Sequence, residues 1–125
     1  MDEKYLMKKV KERLTHWESL GIVLHWDRLN SGKIKTAYNY FIQLCKPGTA
    51  DFIVFVAKDG LCWVLFFETK NSTDGLARDT QIEFSMLWSS VHNIVYEFIT
   101  SPDQVDAAIE KITGHYTDKI NSMEL

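Results

Sequence analysis

The sequence predicts a single α/β domain, with helices flanking a mixed β-sheet, and three observations carry that expectation. Leu6, Val10 and Leu14 recur at four-residue spacing near the N-terminus, the period of one helix face. Two runs, Phe52 to Ala57 and Leu61 to Phe67, are dense in β-branched and aromatic residues and are joined by Lys58-Asp59-Gly60, the composition of a hairpin. Downstream, a helical stripe, a short β-branched run and a second helical stripe follow one another, as layered α/β structure requires.

Taken in order, the first helix spans residues 3–19, with Met7 and Trp17 widening its stripe and Gly21 as its C-terminal stop. Ile22 to Trp26 reads as a short strand and Asn30-Ser31-Gly32-Lys33 as a turn. Residues 36–45 read as one further strand, stopped by Lys46-Pro47-Gly48. The two hairpin runs are apolar at nearly every position, which predicts strands in mid-sheet buried on both faces. Asn71 to Gly75 is a polar loop. A helix is expected over about 79–91, with Thr80 and Glu83 as a capping box and Phe84, Leu87, Trp88 and Val91 on its apolar face. Residues 94–100 form the next strand. Ser101-Pro102-Asp103-Gln104 offers a capping Ser, a Pro at the first helical position and a Gln three residues after the cap. Val105, Ala108, Ile109 and Ile112 give that helix its buried face, and Gly114 ends it. The last ten residues are polar and expected to fray. The predicted order is α-β-β-β-β-α-β-α.

A length of 125 residues allows one core, so residues 1–125 are expected to form one domain. An apolar share of 46% and an aromatic share of 13% exclude a disordered chain. No run approaches the roughly 20 uncharged apolar residues of a membrane helix. The charged start, Met1-Asp2-Glu3-Lys4, lacks a signal-peptide apolar block, so a cytoplasmic protein is expected. Cys45 and Cys62 lie in apolar runs and read as small buried hydrophobes; two such cysteines make neither a disulfide framework nor a zinc site. The net charge of −3 argues against a nucleic-acid partner, but the charge is uneven. Residues 1–46 carry nine Lys/Arg against five Asp/Glu, and residues 47–125 carry five against twelve. A basic N-terminal third could follow phosphates, although Lys8, Lys9, Lys11 and Arg13 read more simply as a solvated helix face.

Polar residues stand out at the hairpin rim. Asp51 opens the first run, and Glu68 and Lys70 close the second. If Asp59-Gly60 is a two-residue loop, Lys58 faces Leu61 and, counting back, Asp51 faces Glu68, with Cβ atoms about 5 Å apart. Lys70 then shares a face with Glu68. Two facing carboxylates repel unless one takes a proton or a divalent cation lies between them. Hard oxygen ligands suit Mg²⁺ or Mn²⁺, and an ammonium beside them can neutralise charge developing on a phosphate. From geometry alone, a solvated strand end with a Glu–Lys pair is the stronger reading, and a one-residue slip would separate the two acids.

Gly48-Thr49-Ala50-Asp51, a spacer of 16 residues and Glu68-Thr69-Lys70 resemble the D…ExK signature of restriction-endonuclease-like nucleases. Further features are similar to those of the VRR-NUC family within that superfamily: Gln81 with Phe84 three residues on, Glu3 heading a helix that carries Leu6, Val10 and Leu14, and the stretch Arg28-Leu29-Asn30-Ser31-Gly32. The likeness runs from Glu3 to about Val105. Ala50 departs from the family's usual Pro, and Glu12 rivals Glu3 as the acid of the first helix.

The resemblance implies a restriction-endonuclease-like core and a Mg²⁺ or Mn²⁺ ion on Asp51, Glu68 and the main-chain carbonyl of Thr69. Glu3 would reach the metal directly or through water, Lys70 would position the attacking water, and Gln81 would support the lysine or the scissile phosphate. A helix-start acid favoured by the dipole remains the plain alternative for Glu3, and a surface residue of a first turn for Gln81. The resemblance further implies a stand-alone, homodimeric DNA endonuclease of phage or mobile-element type, specific for branched DNA such as four-way Holliday junctions. A non-cleaving DNA-binding or assembly module, and a nickase or exonuclease, remain open alternatives. His16, His25, His92 and His115 are scattered, and neither a nucleophile elbow nor a phosphate-binding glycine loop is present.

Overall fold

A computed structural model describes residues 2–30, 33–70 and 79–114. The elements are α1 (Glu3–Ser19), β1 (Val23–Arg28), β2 (Lys33–Lys35), β3 (Phe41–Gln43), β4 (Phe52–Lys58), β5 (Leu61–Thr69), α2 (Asp79–Met86), β6 (Ile94–Ile99) and α3 (Asp103–Thr113). The main sheet has the order β1-β4-β5-β6. Its first two pairings are antiparallel and β5 pairs with β6 in parallel, so the sheet is mixed and helices flank it, as expected. The polar loop at 71–75, Ser31-Gly32 of the expected turn and the tail after Gly114 lie outside the described residues.

The first helix follows the predicted bounds. Asp2 caps it by accepting the N–H of Lys4, and Gly21, at φ 75°, takes the left-handed position just past its end. Leu6, Val10, Leu14 and Trp17 are buried against Phe52, Val54, Val56, Leu65 and Phe67 of the sheet. Val105, Ile109 and Ile112 of α3 complete this core. Trp17 Nε1 donates to Asp106 Oδ1 at 2.7 Å and links the two helices.

On the other face, Phe66 stacks on Trp88 and meets Phe84 edge-on, with ring centroids 5.2 and 5.1 Å apart. This second layer is small, because α2 has eight residues and is only about 12 Å long. Burial on both faces therefore holds for Leu65–Thr69, all buried, but β4 alternates buried with half-buried residues and Leu61 and Cys62 are exposed. Cys62 is thus not the buried hydrophobe expected, and Cys45 is half-buried.

Further expectations are corrected, and with them the element order, which is α-β-β-β-β-β-α-β-α and not α-β-β-β-β-α-β-α. Residues 36–45 are not one strand. The Thr36 hydroxyl accepts the N–H groups of Tyr38 and Tyr40, Asn39 turns at φ 65°, and the segment folds into the tip and return strand of a separate β2–β3 hairpin. Local side-chain bonds and the tolerance of Asn for left-handed backbone outweigh the strand propensity. The second helix ends at Met86, and three-residue hydrogen bonds carry the chain on from Leu87 to Val91. That tighter turn swings Leu87 into solvent at 64% exposure. Thr80 lies inside α2 and so does not cap it. In α3 the helix begins at Asp103, so Pro102 takes the cap position without a side-chain bond and Ser101 is not the cap; Gln104 reaches back to the N–H of Thr100 at 2.7 Å.

Candidate active site

The β4–β5 ladder pairs Phe52 with Phe67 and runs in unbroken register to Lys58 opposite Leu61. Asp59 and Gly60, at φ 52° and 75°, form the two-residue turn that sets this register. The ladder ends at Phe52 and Phe67, one step short of Asp51 and Glu68, so the register runs up to the predicted pair without including it.

Asp51 lies one residue outside β4, and its carboxylate turns toward the neighbour of Glu68. Oδ2 accepts from the Thr69 backbone N–H at 2.8 Å and from the Thr69 hydroxyl at 2.7 Å. Arg28 Nη1 stands 3.6 Å from Oδ1 and donates to the Asp51 carbonyl at 3.2 Å. That carbonyl also accepts the N–H of Leu29 at 2.7 Å. The end of β1 is thereby fastened beside the acid.

Glu68 is 5% exposed. Its Oε1 accepts from Gln81 Nε2 at 2.7 Å, and its Oε2 is buried with no hydrogen-bond partner. Burial pushes the Glu68 carboxyl up to about 7, and the Asp51 charge adds to that; the Lys70 ammonium and the Asp51 backbone N–H pull the other way. Lys70 continues β5, its N–H donating to the Ile99 carbonyl at 2.8 Å. Tyr96, on β6, has a buried hydroxyl with no partner. Burial, and then the charges of Glu68 and Asp51, hold this phenol above its usual range.

Asp51, Glu68, Thr69, Lys70 and Gln81 are therefore brought together. Glu3, the exposed first residue of α1, is near enough for its charge to raise Glu68 slightly. Its rival Glu12 is engaged with Lys9 at 3.2 Å. Among the described residues, no three His, Cys, Asp or Glu side chains form a group able to hold a metal ion, so Glu3 does not join Asp51 and Glu68 in a closed three-acid cluster. Asp51 and Glu68 remain, the latter with its buried Oε2 unpartnered; a hard cation of the Mg²⁺ type takes one or two carboxylates from a protein and completes its shell with water and phosphate.

Sequence reasoning missed Arg28 and Tyr96 as members of the site. Arg28 counted only as part of a turn-like stretch. Tyr96 looked like one more core aromatic, because its pairing opposite Phe66, two residues before Glu68, depends on the parallel β5–β6 register.

Comparison with protein-family models, with curated proteins and with solved structures yields no match. Among the described residues, no helix is long and apolar enough to cross a membrane.

Proposed function

We propose that this chain is a divalent-metal-dependent DNA endonuclease of the restriction-endonuclease-like, VRR-NUC type, which hydrolyses phosphodiester bonds in branched DNA. The observation that carries the reading is the state of Glu68. One oxygen is fixed by Gln81, and the other is buried beside Asp51 with no partner. A buried acceptor left unmade is costly, and two adjacent acids add repulsion; a cation held between them relieves both.

Asp51 and Glu68, with the Thr69 carbonyl, would hold the ion, and Thr69 keeps Asp51 oriented through its N–H and hydroxyl. Mg²⁺ or Mn²⁺ supplies Lewis-acid polarisation of the scissile phosphate. Lys70 positions the attacking water and offsets charge developing on the phosphate. Gln81 locks Glu68, and Glu3 adds negative potential from the start of α1. A homodimer would present two such sites to the two strands of a four-way junction.

The test is cleavage of four-way, flap, nicked and linear DNAs by the purified protein with Mg²⁺ or Mn²⁺. We expect branched DNA to be cut, and both Asp51→Asn and Lys70→Ala to abolish cutting. Unchanged activity in both variants would sink the assignment. A non-cleaving DNA-binding module is the second reading, favoured by the lack of a third acidic ligand among the described residues. Mn²⁺ titration separates the two, since only the nuclease requires cation binding that Asp51→Asn removes.

A further inference from the structure

The β2–β3 hairpin forms a small sheet of its own, and all six of its strand residues are exposed. Tyr38, Tyr40 and Phe41 are 83%, 72% and 68% exposed, far from the burial that aromatic rings normally gain. Residues 33–46 also hold three lysines and no acid, in a chain of net charge −3. Lys35 lies directly across from Phe41, so a cation and a ring share one face.

The hairpin's position is equally specific. It is inserted between Leu29 and Asp51, and these two residues are bonded to each other, N–H to carbonyl, at 2.7 Å. The arm is therefore rooted at the rim of the candidate active site. Its tip is held in shape by the Thr36 hydroxyl, which accepts two backbone N–H groups.

We propose that this hairpin is the arm that holds DNA beside the site, with Lys33, Lys35 and Lys46 on phosphates and Tyr38, Tyr40 and Phe41 stacked on unpaired bases. The assignment rests on the nuclease reading for its substrate and adds that the substrate carries unstacked bases. Ring and cation together match a single-stranded segment, whose bases offer flat faces and whose phosphates offer charge. A second copy of the chain fits worse, because residues 33–46 offer lysines and no acid, so a patch paired with itself would bring like charges together.

The experiment is fluorescence anisotropy of the full chain in EDTA, with labelled oligo(dT), a four-way junction and a fully paired duplex. We expect oligo(dT) and the junction to bind more tightly than the duplex. Tyr38→Ala and Phe41→Ala should each weaken oligo(dT) binding about tenfold and duplex binding by less than about twofold, and Tyr38→Phe should restore it. Lys35→Ala should flatten the salt dependence on oligo(dT) by about 0.7 in slope. Melting temperatures should not move, because these side chains lie outside the core. Equal oligo(dT) affinity in wild type and both alanine variants overturns the proposal. So does loss of self-association at unchanged DNA affinity, which would make the arm a contact between copies. Cleavage assays on the same proteins keep the two readings apart. If Asp51→Asn and Lys70→Ala still cut while the hairpin variants lose binding, the nuclease site is wrong and the arm stands. If cutting depends on Lys70 but the hairpin variants bind like wild type, the arm alone is wrong.

Discussion

Gln81 donates from Nε2 to Oε1 of Glu68 across 2.7 Å, and both side chains are buried. This bond ties the first turn of α2 to the end of β5 and fixes one oxygen of the acid while leaving the other unpartnered. Gln81→Ala removes the donor without changing any charge. Loss of a buried hydrogen bond to a carboxylate costs about 1.5–3 kcal/mol, so the urea midpoint should fall accordingly. Cleavage should fall further than DNA binding does, since Glu68 loses its orientation and the hairpin arm is untouched.

The Glu68 carboxyl, pushed up to about 7 from its ordinary value of 4.5, makes cation-free stability depend on pH. The folded state holds this proton more tightly than the unfolded chain does. The stability it contributes is fully present below about pH 4.5 and is lost as pH rises through about 7. The loss is on the order of 3 kcal/mol by pH 8. Glu68→Gln, which cannot ionise, should erase this decline in melting scans run in EDTA. Mg²⁺ should raise the wild-type midpoint at pH 8 far more than at pH 5, where protons compete for the same oxygens. A pH-independent gap between the two proteins would show that Glu68 is not the group responsible.

The parts of the fold that were legible in sequence are those fixed by local chemistry. Asp59-Gly60 set the hairpin register, and that register brings the two strands to within one step of Asp51 and Glu68. The four-residue spacing of Leu6, Val10 and Leu14 gave α1 to its exact bounds. What was not legible depends on contacts between distant segments. Residues 36–45 have strand composition, but their folding back follows from the Thr36 hydroxyl and left-handed Asn39. Arg28 and Tyr96 join the site only once β1 and β6 are placed at the two edges of the sheet.

Thr69 was expected to act through its carbonyl, yet its fully buried side chain and its N–H both bond Asp51 Oδ2. Thr69→Val keeps the shape and deletes the hydroxyl. We expect a loss of about 1–2 kcal/mol in stability and weaker Mn²⁺ binding in titration calorimetry. A double-mutant cycle with Asp51→Ala should return a coupling energy of about 1 kcal/mol. Additive effects would mean that the hydroxyl acts on something other than Asp51.

Gly48 links the hairpin arm to α2 by close approach. At φ 88°, a Cβ built on it would lie 2.3 Å from the Thr80 carbonyl oxygen and 2.9 Å from the Thr80 Cβ. Gly48→Ala therefore meets both a left-handed penalty and a clash with backbone, which a side-chain rotation cannot relieve. The backbone of Thr80 must move, and Gln81, the next residue, moves with it. We expect a stability loss of at least about 2 kcal/mol. Cleavage should also be reduced at temperatures where the variant is still folded. Gly60→Ala is the matched control. It sits at φ 75° in the β4–β5 turn with nothing within 4 Å of the added Cβ, so it carries the conformational strain of about 1 kcal/mol alone and should leave cleavage unchanged. If the two variants lose activity equally, the effect of Gly48→Ala is general strain, and the coupling from the loop through Thr80 to Gln81 and Glu68 is absent.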